Sequence, residues 1–415
     1  MRELLRNSEQ DRNLSLNQMS LNVFDKKGKA VSKQAIDLRF NDKSIEFIKR
    51  IFETYLLKTN NLLTKEQDLG WMNLFKRILI KDATRYDLPA CMASYFKGFG
   101  GSCTSESAIC IQLEYDLKTG SISEFKTTSA NIPDVKDAQL TKDNIEEGDL
   151  ILRDLGYFGL NIFQEMNAKK ANFISKLNTQ VSVFEQINGA FKKIDFKTIK
   201  HRFDKIKSQY LELEVFIGEE LKIPVRLILE QVHEETYEQR MRKARKGAKK
   251  KGYQVSDEYA ARQRFSSYIT NLSKEKLNTL SIRNIYRLRW QIELVFKVWK
   301  STYNIDKTYQ MKYARWMTLF YARMLLMLIH WQIYNVVKQA KYKIENKLLS
   351  VSKCMKTLRM QSSRITGMVN QGMNIIEHFL EEITQILSTK HDLEKKKGRK
   401  NQEEIYGIIF CLSDD

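Results

Sequence analysis

The sequence is poor in cysteine and in long apolar runs. Its five cysteines are odd in number and scattered, which argues against a disulfide framework and for a reducing compartment. The longest apolar run, 324–329, is far shorter than the roughly 18 residues that a spanning helix needs. The first ten residues, MRELLRNSEQ, contain no signal-peptide core. We therefore expect a cytoplasmic protein with no membrane partner.

Several common site motifs are missing as well. Cys91, Cys103 and Cys110 lack the paired short spacing of a zinc site, and His233-Glu234 does not continue into a His-Glu-x-x-His motif. The glycine-rich stretch at 97–102, KGFGGS, has no Lys-Ser or Lys-Thr at the spacing of a phosphate-binding loop. We interpret the cysteines and His233 as structural and the glycine-rich stretch as a flexible loop, and we find no internal repeat.

Positive charge is what the sequence has in excess. The chain of 415 residues carries 70 Lys and Arg against 50 Asp and Glu, a net charge of +20. A content of 42% hydrophobic and 11% aromatic residues is typical of a folded protein, and the length suffices for two or three domains. A positive surface favours a polyanion through steering and counterion release. Nucleic acid is therefore the expected partner.

The N-terminal region, residues 1–65, reads as helical. Short helices are predicted at 18–24, at 32–39 with Ser32 as its cap, and at 43–57, with a turn through Gly28. One interpretation is a helix-turn-helix whose recognition helix lies in the segment SKQAIDLRF; the alternative is a small helical cap. The residues that this helix would offer to DNA are Lys33, Gln34 and Arg39.

From residue 66 to about 310 the pattern indicates a mixed α/β domain. An apolar strand at 77–81 ends at Asp82, a hairpin follows at 108–115 and 121–127, and a helix is predicted at 137–144. A second apolar strand at 149–152 ends at Asp154, and a helix and the strand 171–177 come next. This order is that of a ribonuclease-H-like sheet. In that fold the first and fourth strands are adjacent, so Asp82 and Asp154 would be neighbours.

A mostly β insertion is predicted between about 179 and 270. Strands are expected at 181–184, 211–217 and 225–232, and Pro224 lies just before the last of them. The run 240–251 holds eight Lys or Arg in twelve residues, and like charges repel, so we expect it to be disordered or loosely helical without DNA. Its position in the chain, before the stretch 286–300, suggests a DNA clamp. The residues we assign to that clamp are Arg242, Lys243, Arg245 and Lys246.

The remainder, after about residue 300, is predicted to be helical to about 390, with a charged tail at 391–415. The region 311–390 carries more apolar residues than one layer of helices would bury. We therefore expect it to pack partly on the α/β domain and partly on a second subunit once DNA is bound. The apolar residues behind this expectation are Met324, Leu325, Met327, Leu328 and Ile329.

The stretch 286–300, YRLRWQIELVFKVWK, is predicted to form one amphipathic helix. Its apolar stripe comprises Ile285, Leu288, Ile292, Val295 and Trp299. Beside that stripe lie Tyr286, Arg289, Glu293 and Lys300. A solvated rim with an Arg289–Glu293 ion pair is one interpretation. We expect both Trp290 and Trp299 to belong to the core.

The spacing of these four residues points elsewhere. Two residues separate the Tyr from the Arg, three separate the Arg from the Glu, and six separate the Glu from the Lys. This spacing resembles the pattern of the DDE transposases of bacterial insertion sequences, of the insertion sequence four type. KDATRYDLP around Asp82 and LILRDLGYF around Asp154 look like the first and second Asp motifs of that family. The resemblance extends from about 76 to 301 and is loosest in the insertion.

The resemblance implies a set of site residues. Asp82, Asp154 and Glu293 would be the catalytic carboxylates that hold two Mg²⁺ or Mn²⁺ ions, for which oxygen ligands are suited. Asp87 remains an alternative to Asp82. The remaining implied residues are Tyr286, Arg289 and Lys300, which would hold the transposon-end DNA, and Phe265, which would stack on a flipped base.

The function predicted from these observations is cut-and-paste transposition. The protein would bind the inverted repeats of an insertion sequence, act as a homodimer on double-stranded end and target DNA, and cleave and join strands. Two alternatives stay open: an inactive or repurposed DNA-binding protein, and a ribonuclease-H-like nuclease that does not integrate. The intact carboxylates argue against an inactive protein.

Overall fold

The computed structural model describes residues 15–63, 70–100, 105–206, 208–368 and 373–394. The predicted charged tail beyond residue 394 lies outside the described residues, as do Cys103 and the end of the KGFGGS stretch. Within the described part of the chain, no helix has both the length and the apolar character needed to cross a bilayer.

Helices make up both ends of the described chain, and strands and helices are mixed between residues 78 and 270. The helices α1–α14 span Leu16–Lys27, Lys33–Asp37, Asp42–Leu63, Asp134–Leu140, Leu160–Ala168, Phe196–Ile206, Glu234–Lys250, Asp257–Gln263, Thr279–Leu288, Gln291–Tyr303, Tyr313–Glu345, Val351–Met360, Ser362–Gly367 and Met373–Lys390. The strands β1–β10 span Ile78–Asp87, Ala108–Asp116, Ile122–Ser129, Leu150–Arg153, Asn172–Lys176, Val183–Ile187, Ala190–Lys193, Tyr210–Ile217, Ile223–Gln231 and Phe265–Thr270. The predicted order of strand, hairpin, helix, strand, helix and strand is confirmed, and with it the mixed α/β, ribonuclease-H-like class.

The described chain forms two compact units. The first contains residues 15–63, 82–100, 105–131, 290–368 and 373–394, and the second contains 70–81, 132–206 and 208–289. The chain passes from one unit to the other after Lys81, Asn131 and Arg289. Two of these crossings therefore lie next to residues that the sequence singles out, Asp82 and Arg289.

The second unit is built on strands in the order β1-β4-β5-β10-β9-β8-β6-β7. β1 enters it with residues 78–81, which pair in parallel with β4 from Ile78↔Leu150 to Lys81↔Arg153. β4 and β5 are also parallel, whereas β10, β9, β8, β6 and β7 join antiparallel. The sequence-based expectation that the first and fourth strands are adjacent is confirmed by this register.

A buried ion pair fixes the start of that register. Asp149, whose side chain is fully buried, accepts from Arg77 Nε at 2.9 Å and from Nη2 at 2.6 Å. Arg77 precedes β1 and Asp149 precedes β4, so a two-point contact holds both strands at their first residues. Apolar residues of the strands and of α5 and α6 then close the core of this unit.

Lys81 is fully buried at the last paired position of β1. Its Nζ lies 2.6 Å from Asp137 Oδ2 and donates to Thr141 Oγ1 at 2.8 Å, both from the segment around α4. A buried ammonium is tolerated only when it is paired and hydrogen-bonded. The contact thus anchors β1 to the α4 segment directly before Asp82.

Strand β1 is longer than predicted and continues to Asp87. Thr84 and Tyr86 are buried, so inward and outward positions alternate beyond the apolar run. Asp82 consequently lies in the middle of the strand, and Asp87, which is exposed, ends it. The prediction that the strand stops at Asp82 is wrong, because polar residues on the outward face do not interrupt strand pairing.

The first unit packs helices on a β-hairpin. α3 packs along α11, β2 and β3 form the predicted antiparallel hairpin, and the rings of Phe52 and Phe125 meet edge-to-face at 4.9 Å. Met324, Leu325, Met327 and Leu328 of α11 are 2–4% exposed, so this chain already covers them. These four residues therefore provide no surface for a second subunit, whereas Ile329, the fifth residue behind that expectation, is partly exposed.

The insertion has helices between its strands. The predicted strands correspond to β6, β8 and β9, although Pro224 lies inside β9, opposite Phe216, rather than before it. The basic run lies mostly in the 17-residue helix α7, so of the two expected states the helical one is found and disorder is not. Glu234 and Glu235 in its first turn and lysines in its last turn complement the helix dipole.

Candidate functional site

The stretch 286–300 is two helices and not one. α9 ends at Leu288 and α10 begins at Gln291, and at the junction the Arg289 N–H donates to the Tyr286 carbonyl in a tight turn. The apolar stripe is confirmed, since its five residues are at most 6% exposed. The break divides the predicted motif: Tyr286 and Arg289 belong to the second unit, Glu293 and Lys300 to the first.

Asp154 follows β4 directly, as predicted, and half of its side chain is exposed, at 46%. Arg289 Nη2 lies 3.8 Å from Asp154 Oδ1, and only 13% of the arginine side chain is exposed. A guanidinium from the end of α9 is therefore held beside the carboxylate.

Tyr286 is the most deeply buried member of the motif in this unit. It is 5% exposed, its hydroxyl donates to the Arg153 carbonyl at 3.4 Å, and its ring meets Tyr268 edge-on at 5.5 Å. Burial raises the pKa of the Tyr286 hydroxyl well above its ordinary range. Tyr286 thus acts as a neutral donor that holds the end of β4 in place.

Lys176 is a neighbour of this cluster that sequence reasoning missed. It ends β5, its ammonium lies 5.9 Å from the centroid of the Tyr286 ring, and it is exposed. Partial desolvation lowers the pKa of Lys176, and Asp154 opposes that shift. The sequence held a signal for it, since parallel strands end at one edge of a sheet and Lys176 is the next-to-last residue of the predicted strand 171–177.

The first unit holds the other candidate carboxylates. Asp82 is partly exposed, and its Oδ1 accepts from the Ala83 N–H at 2.8 Å. Glu293 lies in the first turn of α10 and is partly exposed. Lys300 Nζ donates to the Arg85 carbonyl at 3.0 Å, so in this structure the predicted DNA contact ties α10 to β1.

The chemistry of these donors suits a hard divalent cation. Asp82, Asp154 and Glu293 offer only carboxylate oxygens, and each is at least partly exposed, so they fit Mg²⁺ or Mn²⁺. Among the described residues, no group of three His, Cys, Asp or Glu side chains lies close enough together to hold a metal ion.

Helix α7 presents a basic outer face. Met241 and Ala248 are buried on its inner side, while Arg242, Lys243, Arg245 and Lys246 are exposed. We call these four residues the basic face. Arg242 pairs with Glu238 at 3.1 Å, an exposed contact between successive turns.

Arg240 has a different role from the basic face that follows it. Its guanidinium donates to the carbonyls of Gln263 and Phe265 and to Ser266 Oγ, each at 3.0 Å. These bonds fasten α7 to β10. Arg240 thus helps to hold the helix to the sheet, whereas the exposed basic face is directed at solvent or a ligand.

Two aromatic predictions are corrected by the structure. Phe265 is 4% exposed and stacks on Phe203 at 5.2 Å with the rings 11° apart, because it points into the core from a strand between β5 and β9. It is not available to a flipped base. Trp299 is buried as expected, but Trp290, at the break between α9 and α10, is 51% exposed and does not belong to the core.

The N-terminal helices follow the predicted order, with Ser32 as the N-cap of α2 and Gly28 ending α1. Lys33, Gln34 and Arg39 are exposed, and Arg39 Nη1 donates to the Ala35 carbonyl at 3.0 Å. α2 is fastened to α11: its Asp37 accepts from Lys312 at 2.6 Å and lies 3.6 Å from Arg315.

Comparison with known proteins identifies the family. The transposase DDE domain matches residues 73–329. The transposase for insertion sequence element IS1151 of Clostridium perfringens is 30% identical over 395 residues, covering 92% of this chain and 83% of that protein. The transposase for IS231B of Bacillus thuringiensis subsp. berliner is 28% identical over 407 residues, covering 92% and 82%.

A solved structure, the piggyBac transposase synaptic complex with hairpin DNA, overlaps 97% of this chain and 76% of its own, with 10% identity and a TM-score of 0.37. A TM-score of 0.37 is too low to bear on the fold. The domain match, by contrast, covers more than half of the sequence. The chain therefore belongs to the DDE transposases of insertion sequences, which are metal-dependent polynucleotidyl transferases.

Proposed function

We propose that this transposase binds the terminal inverted repeats of its insertion sequence and performs cut-and-paste strand cleavage and strand transfer. Asp82, Asp154 and Glu293 are its catalytic metal ligands. The observation that carries the proposal is the parallel register of β1 and β4. Lys81 and Arg153 are the last pair, and the residue that follows each of them in the chain is an aspartate.

The three carboxylates hold Mg²⁺ or Mn²⁺. Two such ions, when bound, activate the attacking water or 3'-hydroxyl and stabilise the leaving oxygen. The protein's own residues position the strand ends and the DNA. Tyr286 holds the end of β4 through the Arg153 carbonyl. Arg289 keeps its guanidinium beside Asp154 until a DNA phosphate replaces Asp154 as its partner.

Double-stranded DNA, as transposon end and as target, is the substrate. Arg289 and Lys300 contact its phosphates near the cleavage point, and the basic face of α7 holds the backbone further out. Lys33, Gln34 and Arg39 are exposed on one short segment, which supports a role in recognising the end sequence.

Two copies act together on DNA, because an insertion sequence has two ends that must be cut and joined in concert. Sizing the protein alone and with end DNA tests this. A strictly one-to-one complex at high concentration would contradict it.

The decisive experiment changes each carboxylate singly. Asp82→Ala, Asp154→Ala and Glu293→Ala should each abolish Mg-dependent cleavage of end DNA and leave binding largely intact. Asp87→Ala is the matched control, because Asp87 ends the same strand as Asp82. Full activity in any of the three would remove that residue from the site.

The products separate transposition from simple cleavage. When a supercoiled target is added, strand transfer gives a covalently joined product. If wild-type protein cleaves ends and joins none, the protein is a nuclease and the strand-transfer half of the proposal is wrong.

A further inference from the structure

Lys176 lies at the same edge of the sheet as Asp154. In the parallel pairing of β4 with β5, Leu152 stands opposite Ile174. Asp154 lies two residues after Leu152, and Lys176 lies two residues after Ile174, so both side chains are on the same face of the sheet. In open α/β sheets, ligands bind at the carboxyl ends of parallel strands. Lys176 is thus the cation on the strand next to a proposed catalytic carboxylate.

The surroundings of Lys176 leave its charge accessible. On its other side, Lys176 pairs with Tyr268 of β10, so β5 is an interior strand, yet the side chain is exposed. Among the described residues, the Lys176 side chain has neither a hydrogen bond nor an ion pair: its ammonium lies 5.9 Å from the centroid of the Tyr286 ring, and Asp154 acts on it from beyond ion-pair distance.

Arg289 differs from Lys176 in availability. Its side chain is 13% exposed and is directed at Asp154, so it neutralises a protein charge before DNA arrives. Lys176 has no such partner and can reach an incoming phosphate directly. A lysine ammonium binds phosphate oxygens as a compact charge on a flexible stem.

We propose that Lys176 is a positioning residue that binds a backbone phosphate of the DNA strand held beside Asp154. The inference rests on the proposed function and extends it to a residue outside the Tyr-Arg-Glu-Lys pattern. Losing one phosphate contact next to the reacting group weakens binding and misplaces the strand, so both affinity and the rate of cleavage depend on it.

The test compares Lys176→Gln with Lys176→Arg and with Lys136→Ala, an exposed lysine on α4 of the same unit. Lys176→Gln should cleave pre-bound end DNA at least about tenfold more slowly. It should also flatten the plot of log affinity against log salt by about one unit. Lys176→Arg should restore most of the rate and all of the slope. Lys136→Ala should change neither.

The outcomes separate this inference from the function on which it rests. Melting temperatures are measured for each variant, and a drop for Lys176→Gln with an unchanged salt slope would make Lys176 structural. A wild-type rate and slope for Lys176→Gln, with cleavage abolished in Asp154→Ala, would overturn the role of Lys176 alone. Retained cleavage in Asp154→Ala would overturn the proposed site itself.

Discussion

Arg289 and Asp154 form an ion pair of 3.8 Å between Nη2 and Oδ1, made by a residue that ends a helix and a residue that follows a strand. The carboxylate is half exposed, so the pair contributes on the order of 1 kcal/mol or less to stability. The pair matters for positioning, because it keeps a guanidinium where a DNA phosphate would bind in the proposed site.

Arg289→Ala should therefore weaken end binding far more than it weakens folding. Losing one phosphate contact should flatten the salt dependence of binding by about one unit, and the melting temperature should stay close to that of the wild type. Arg364→Ala is the matched control, since Arg364 also pairs with a carboxylate, Glu382, at 2.7 Å. If the two variants show the same slope, Arg289 pairs with Asp154 and has no role in binding DNA.

Lys81→Met should destabilise the second unit strongly. The substitution leaves Asp137, which is 2% exposed, as a buried carboxylate without its cation, at a cost of about 3–5 kcal/mol. Urea unfolding measures the loss. The double variant Lys81→Met with Asp137→Leu should recover most of it, because both charges are then removed. A single variant as stable as the wild type would show that Lys81 does not anchor β1.

His330 should make the first unit sensitive to acid. It is fully buried beside Tyr303, whose hydroxyl lies 2.6 Å from Nδ1, and burial together with the nearby Arg359 lowers its pKa to about 3. The unfolded chain, with a pKa near 6.5, binds more protons between these values. Stability should therefore fall as pH drops from about 6.5 towards 3, by about 1.4 kcal/mol per unit at most.

The measurement is the urea midpoint at pH 7 and at pH 5. His330→Gln should reduce the difference between the two, whereas His201→Gln, at an exposed position of the second unit, should leave it unchanged. If His330→Gln keeps the full acid dependence, carboxylates account for it and His330 does not.

Local patterns sufficed for the elements that carry the candidate carboxylates. The apolar run before Asp154 and the hairpin at β2–β3 are confirmed because each is set by neighbouring residues. The break after Leu288 was not predicted, since neither glycine nor proline marks it and the apolar stripe continues across it. The extension of β1 beyond Asp82 was missed for a similar reason, because strand pairing rather than apolar sequence sustains it.

Residues whose roles depend on distant pairings were harder to predict. Lys176 becomes a candidate only through the register that brings β4 and β5 together, and Phe265 loses its proposed role through its contact with Phe203, more than sixty residues earlier. The order of helix α7 was not predicted, because the sequence shows the repulsion between its like charges but not the hydrogen bonds that join Arg240 to Gln263 and Phe265.

The basic face of α7 gives the last prediction. Its four side chains are exposed, and the contacts that hold the helix come from Met241, Ala248 and Arg240 on other positions. Changing Arg242, Lys243, Arg245 and Lys246 to Ala together should leave the helix folded, since alanine favours helices. End binding should weaken, and its salt slope should flatten by up to about three to four units.

A cleavage assay distinguishes a role in binding DNA from a role in the chemical step. With DNA bound beforehand at low salt, the four-fold variant should cut far faster than Glu293→Ala, because the basic face supplies no metal ligand. A variant that changes all four residues to Gln, with equal charge loss but longer side chains, should behave like the alanine variant if charge is what matters. Unchanged affinity and slope in both variants would make the basic face a solubility feature and leave α7 without a role in holding DNA.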